Sequence, residues 1–334
     1  MNYNEPSIKK KREEVFSKKK RKQTTASAIV FRIVLILICA VIVSGSGLLY
    51  GSFRGIIDSA PKDFSLAPKY SATIVYDDDN KQVQQLSDYS SNRIPVAYEQ
   101  IPDNLKNAFI SIEDERFYEH DGIDFKGILR ALWTDIQNGS TSQGASTLTQ
   151  QLIKNNVFEA GGETNIIAKV KRKIQEQYLA IIAEKKYNKE DILTNYLNTI
   201  NLGKGNLGVE AASKYYFGKS VNELTLSECA VLAGITKNPT FLNPVDYPED
   251  NDARRKLILK KMYQLNYISD TEYQSALEDK VYARIANKTA QGRKNSVYSY
   301  FTDAVITKVV SDLQEQKGYT PVSYTHLRAH ETCA

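Results

Sequence analysis

The chain of 334 residues is poor in cysteine, tryptophan, methionine and histidine, with three, one, two and three of them respectively. Cys39 falls in an apolar run, Cys229 in a helical pattern and Cys333 beside the C-terminus. No spacing among them suits a zinc site or a disulfide framework, so Cys229 is expected to be an inert buried thiol. A uniform charge is missing too. Residues 1–32 hold ten Lys/Arg and three acids, and since the whole chain carries +5, the rest is slightly acidic. The basic excess is a local tail, which excludes a nucleic-acid-binding face as its origin; no nucleic-acid partner is expected. Internal repeats are absent, and so is low complexity beyond that tail.

One long hydrophobic run is present. Residues 29–50 are predominantly apolar with Arg32 the only charge, about the 20 residues a helix needs to cross a bilayer, and Arg32 sits where it can snorkel to the headgroups. The competing reading is a cleavable signal peptide, but those have apolar cores of only about 7–15 residues. An uncleaved single-pass anchor is expected. The Lys/Arg cluster before it places residues 1–28 in the cytoplasm and everything after Gly51 outside the cell membrane.

Residues 51–100 read as a membrane-proximal segment. Ser71–Tyr76 and Val83–Leu86 flank the turn cluster Asp77-Asp78-Asp79-Asn80, which predicts a β-hairpin. From Pro102 the periodicity is helical. Thr225-x-x-Glu228 and Ser269-x-x-Glu272 predict capping boxes, Asn188 can cap a helix over 192–200, and Gly203, Gly205 and Gly208 mark a loop. The fold class is therefore mainly α with a small β element, with a globular domain over 101–290. Residues 291–320 read as a linker. Residues 321–334 lack periodicity and read as a non-native tail, outside the fold argument.

Three segments carry candidate chemistry. In the first, Leu105, Ala108, Phe109 and Ile112 recur at helical spacing, and Glu113 stands at the edge of that stripe. Partial desolvation there suits a proton acceptor, although a helix-end surface acid has the same spacing. In the second, Leu148 and Leu152 face inward, while Thr147, Gln151 and Lys154 fall on another face. That face suits a sugar-phosphate, or is plain solvated surface. In the third, Lys169, Arg172, Lys173 and Glu176 share one arc, opposite Val170, Ile174, Tyr178 and Ile181. The arc is either a set of weak surface ion pairs or a diphosphate cradle in which Glu176 stays ionised.

Glu113-Asp114-x-x-Phe117-x-x-His120-x-Gly122-Ile123-Asp124 resembles the first motif of glycosyltransferase family 51, the peptidoglycan polymerase module of class A penicillin-binding proteins. Gly144-Ala145-Ser146-Thr147-Leu148-Thr149-Gln150-Gln151-Leu152-x-Lys154-Asn155 resembles the second and Arg172-Lys173-x-x-Glu176 the third. Ile192-Leu193-x-x-Tyr196-Leu197-Asn198 resembles the fourth, with Thr194 where an acid is common, and Leu226-x-Glu228-x-Ala230-x-Leu232-Ala233-Gly234 the fifth. The resemblance implies a lysozyme-like helical domain with an apolar, membrane-embedded jaw, acting on lipid II to make β-1,4 glycan strands with inversion and release of undecaprenyl diphosphate. It implies Glu113 as base and Glu176 as a second catalytic carboxylate. Asp114, Phe117, His120, Ser146, Thr147, Gln150, Gln151, Lys154, Asn155, Arg172 and Lys173 become expected substrate contacts. It also implies a divalent cation, Mg2+ or Mn2+, with ligands unassigned, and partners among the growing glycan strand, the bacterial cytoplasmic membrane and cell-wall synthesis or division proteins. Binding of moenomycin-type phosphoglycolipids is implied as well. Glu228, explained by its capping box, is expected to be structural.

Two other function classes fit parts of the pattern. A lytic enzyme on finished glycan needs one acid in a cleft but no cations for a diphosphate, and an envelope scaffold needs none of Glu113, Lys154, Arg172 and Glu176. Outside the membrane no Lys-Thr-Gly or Lys-Ser-Gly occurs, so the chain is expected not to be acylated by penicillin and to stop before a transpeptidase domain.

Overall fold

Beyond the helical residues 51–58, α-helices begin where the extended pattern stops, after Pro102. The computed structural model describes residues 51–68, 73–76, 79, 82–86, 92–138, 146–158 and 165–285, with a few isolated positions near either end. The chain divides into two units, Met1–Ala60 and Pro61–Ala334. In the first, residues 51–58 are helical. The expected membrane span over 29–50 lies outside the described residues except for Gly47 and Tyr50. No helix among the described residues is long and apolar enough to cross a membrane. The linker and tail expected over 291–334 also lie outside them, apart from single helical residues between 308 and 315.

The second unit opens with the expected hairpin. Strand β1 (Thr73–Tyr76) pairs antiparallel with β2 (Gln82–Leu86), Thr73 opposite Leu86, with an irregularity between Val75 and Tyr76. A two-residue strand β3 (Asn92–Arg93) then pairs in parallel with β4 (Asn206–Leu207), more than a hundred residues away. Asn92 Nδ2 donates to Asn206 Oδ1 at 2.8 Å and secures this long-range tie.

Nine α-helices follow among the described residues: α1 (Asp103–Glu113), α2 (Phe125–Asn138), α3 (Leu148–Asn156), α4 (Ile166–Lys186), α5 (Lys189–Leu197), α6 (Val209–Phe217), α7 (Leu226–Ile235), α8 (Pro248–Gln264) and α9 (Asp270–Glu278). Helix α7 is buried continuously from Ser227 to Ile235. It is apolar all round, and such a helix belongs at the centre of a domain. Helices α1, α8 and α9 pack against it, while α3 packs on α4 and α5. Cys229 lies fully buried in α7, and burial pushes its thiol well above the ordinary range, as an inert core cysteine requires.

The expected caps form. Thr225 and Glu228 exchange hydrogen bonds in a capping box, as do Ser269 and Glu272. The Asn188 side chain accepts from Asp191 N at 2.7 Å, although α5 ends at Leu197, earlier than the sequence pattern suggested. Gly203, Gly205 and Gly208 all have positive φ. A Cβ on Gly208 would meet the Asn198 backbone at 2.8 Å, so the tight return past α5 needs glycine there.

Helix α4 is oriented the opposite way from what its apolar stripe suggests. Its buried residues are Gln175, Glu176, Leu179, Ala180 and Ala183, whereas Ile166, Ile167, Val170 and Tyr178 are exposed. Of the polar arc, Glu176 faces inward while Lys169 is exposed and Arg172 and Lys173 keep partial access; paired with two cations, its buried charge is compensated.

Candidate active site

Glu113 is the last residue of α1. Leu105, Ala108 and Phe109 are wholly buried, at about 1.5–3 kcal/mol for each of the larger side chains. That burial fixes the rotation of the helix. One turn after Phe109, Glu113 emerges at the end of the stripe with its side chain 15% exposed. Gln151 Nε2 donates to its Oε2 at 3.0 Å. Thr236 Oγ1 lies 2.5 Å from its Oε1, and Arg254 Nη2 lies 3.9 Å from the same oxygen. Beneath them Tyr196, fully buried, packs edge-on against Phe109 at 6.2 Å, and its hydroxyl donates to Gln151 Oε1 at 3.3 Å. That bond turns the Gln151 amide so that its NH2 faces the carboxylate. Burial, and then the nearby Glu113 and Asp114, push the Tyr196 phenol up and keep it a donor.

Asp114 faces away from this opening. It is buried, accepts from His120 Nε2 at 3.0 Å on each oxygen and from Leu148 N at 2.9 Å, and so ties the end of α1 to the first turn of α3. His120 Nδ1 accepts from Gly122 N at 3.2 Å, which places the ring proton on Nε2. Gly122 O in turn accepts from Thr147 Oγ1 at 2.8 Å and Gln150 Nε2 at 3.2 Å. Gly122 has φ of 90°, and a Cβ there would meet the Ala180 carbonyl at 2.7 Å. The loop is thus clamped between α3 and α4, and only glycine fits.

The expected substrate contacts separate on this geometry. Asp114, Phe117, Thr147 and Gln150 are buried and the His120 side chain is 7% exposed, with their polar atoms engaged by protein groups. Phe117 is fully buried, with Lys189 Nζ 4.5 Å above its ring. Thr147 is the N-cap of α3 and accepts from Gln150 N, so it does not share an open face with Gln151 and Lys154. Ser146, Gln151, Asn155, Arg172 and Lys173 keep partial solvent access, and Lys154 is exposed.

The cationic wall is built on α4. Arg172 bonds Glu176 Oε1, and Lys173 Nζ lies 3.3 Å from Oε2. Lys173 Nζ also donates to Ser146 Oγ at 2.7 Å and to Gln150 Oε1 at 3.2 Å. The Glu176 side chain is only 2% exposed, so these are not surface ion pairs. Two cations on one carboxylate leave positive charge in excess. Both oxygens of Glu176 are committed to cations, and no group of three or more His, Cys, Asp or Glu stands together among the described residues. These residues do not fit a resident divalent cation, whose hard oxygen shell needs several free carboxylates or carbonyls.

Thr236, Arg254 and the role of Tyr196 were not legible beforehand. Thr236 sits just beyond α7, 123 residues from Glu113. Arg254 reads as one cation in the run Arg254-Arg255-Lys256. Burial lowers the pKa of its guanidinium, with Glu113 opposing the shift, and its Nε is buried without a hydrogen-bond partner.

Comparison with known proteins adds relatives to this geometry. A penicillin-binding protein 1A of Clostridium tetani is 40% identical over 304 residues, covering 86% of this chain and 36% of the relative. One from Haemophilus influenzae is 41% identical over 246 residues, covering 74% and 27%. The crystal structure of penicillin-binding protein 1A from Haemophilus influenzae aligns over 75% of this chain and 26% of its own, with 27% identity and a TM-score of 0.38. The chain spans about a third of the length of the relatives it matches. The transglycosylase family model matches residues 79–263, which contain every side chain described above around Glu113 and Glu176, and the chain therefore belongs to the transglycosylase family.

Proposed function

We propose that this chain is a peptidoglycan glycosyltransferase that polymerises lipid II outside the cytoplasmic membrane. The observation that carries the reading is the position of α3 between two charged groups. Gln151 holds the Glu113 carboxylate, and the preceding residue, Gln150, is bonded by Lys173 of the cationic wall. One short helix, α3, thus contacts both the proposed general base on α1 and the proposed cationic anchor for a diphosphate on α4.

In this reading Glu113 takes the proton of the acceptor sugar hydroxyl. The freed oxygen attacks the donor's anomeric carbon from the face opposite the diphosphate, and the bond to the leaving oxygen breaks with inversion. Lys154, Arg172 and Lys173 offset the charge that develops on the departing undecaprenyl diphosphate. Glu176 acts by holding Arg172 and Lys173 in place. Ser146, Gln151 and Asn155, which keep solvent access, contact sugar or phosphate. Asp114, His120, Phe117, Thr147 and Gln150 support the site from below. No step is routed through a divalent cation. A lytic enzyme has no diphosphate to neutralise, and the cationic wall argues against that alternative.

The exposed apolar residues support a membrane-bound substrate. Phe125, Leu129, Trp133 and Ile136 recur along one side of α2, each at least 65% exposed, and Ile166, Ile167 and Val170 are open on α4. Stripes of this kind suit insertion at the acyl-chain boundary. The test is incubation of detergent-solubilised protein with labelled lipid II and gel separation of the glycan products. Ladders of polymer support the reading, and unreacted substrate would refute it.

A further inference from the structure

Thr236 holds an unusual position relative to the carboxylate. Its Oγ1 lies 2.5 Å from Glu113 Oε1 and 2.9 Å from the carbonyl oxygen of Ala233 in the last turn of α7. A hydroxyl has one proton, so it can donate to only one of these two acceptors at a time. The distance to Glu113 is that of a charge-assisted O–H···O bond. While Glu113 is a carboxylate, the proton belongs there. Once Glu113 carries a proton of its own, the same short contact requires the opposite direction, from the carboxylic acid to Oγ1. The threonine proton then has Ala233 O within reach.

The other carboxylate oxygen cannot play this part. Oε2 is faced by the Nε2 donor of Gln151, whose orientation is fixed by Tyr196. A proton on Oε2 would oppose an N–H group, whereas one on Oε1 meets a lone pair. We propose that Thr236 is a positioning residue whose proton follows the charge of Glu113, pointing at Oε1 before proton transfer and at Ala233 O afterwards. The proposal rests on the reading of Glu113 as general base. In the balanced step the acceptor hydroxyl loses its proton to Glu113, the proton is held on Oε1, and no covalent bond of Thr236 breaks. The heavy atoms stay in place in both states, so proton transfer needs only rotation of one hydroxyl.

Few charged groups compete for this role. Helix α8 contributes Arg254 at 3.9 Å, and α5 contributes the Tyr196 phenol through Gln151. Asp114 follows Glu113 in the chain but is turned to His120 and Leu148. Helix α3 presents only the neutral Gln151, and Thr236 is the contact from the α7 end.

The experiment compares wild type, Thr236→Val and Thr236→Ser for lipid II polymerisation across pH, with melting temperatures as a fold control and Glu113→Gln in parallel. Valine keeps the branched shape and removes the hydroxyl. The expected result for Thr236→Val is a fall in kcat of about tenfold or more, the scale of one hydrogen bond to a charged group, with KM little changed. The acidic limb of the kcat/KM profile moves to higher pH, because the ionised form has lost its donor. Serine restores both. An unmoved limb in Thr236→Val, or a serine variant as impaired as valine at equal melting temperature, overturns the proposal. If the valine variant melts early, Thr236→Ala carries the same comparison. Retained turnover in Glu113→Gln would instead remove the base assignment itself. Loss of turnover there, beside an unaffected Thr236→Val, would remove only the role of Thr236.

Discussion

The two candidate carboxylates have different surroundings, and the proposed tasks follow from them. Glu113 has one amide donor, one hydroxyl and a distant guanidinium, while Glu176 has two cations in direct contact. Glu113→Gln keeps the shape, with its carbonyl able to accept from Gln151 and its amide able to face Thr236 Oγ1, but removes the proton acceptor. Polymerisation should stop while the melting temperature stays near wild type; near-normal turnover in the lipid II assay would show that the base lies elsewhere. Glu176→Gln releases Arg172 and Lys173 from their shared anchor, and Lys154→Ala removes the exposed cation of α3 proposed to meet the diphosphate. Each should lower turnover by at least about 100-fold, the usual scale for a charge-stabilising group. Single-turnover rates equal to wild type in both would reduce the wall to ordinary surface.

At the scale of elements, helix ends carry much of the organisation. Glu228 closes the capping box of α7 and is contacted by Lys219 at 2.7 Å and Arg284 at 3.0 Å. Burial alone would push its carboxyl up. Lys219, the Thr225 N–H and Arg284 outweigh that and hold it below the usual carboxylate range. A depressed folded-state value contributes stability above the unfolded value, about 4.3, and that contribution is lost as pH falls through the folded value. At pH 7 Glu228→Gln should be about 1–3 kcal/mol less stable than wild type. The two melting temperatures should converge as pH is lowered toward 3; a constant gap would rule out the ion pairs as its origin. The capping boxes were legible because their chemistry is local. The direction in which α4 faces was not, since periodicity says which residues share a side but not which side meets the core. The buried ion pairs brought Glu176 inward and left Ile166, Ile167, Val170 and Tyr178 exposed.

For the molecule as a whole, the exposed apolar stripe of α2 is where the proposed membrane contact can be tested. Trp133 is 65% exposed, so replacing it should leave the fold intact. Trp133→Glu should weaken co-sedimentation of detergent-free protein with lipid vesicles and raise KM for lipid II without changing the melting temperature. Unchanged sedimentation and KM would remove α2 from the membrane contact. The sequence by itself determined the mainly helical class, the hairpin, the caps, the buried Cys229 and the candidate carboxylates, because each depends on spacing within a dozen or so residues. Only the tertiary structure decided which polar residues face the opening. Asp114, His120 and Thr147 have the composition of ligands, yet their atoms are spent joining α1 to α3. Thr236 and Arg254 have no local signal at all, and they reach Glu113 because α7 and α8 pack on α1. Hydrogen bonds between residues more than a hundred positions apart follow from packing, which one-dimensional periodicity does not encode.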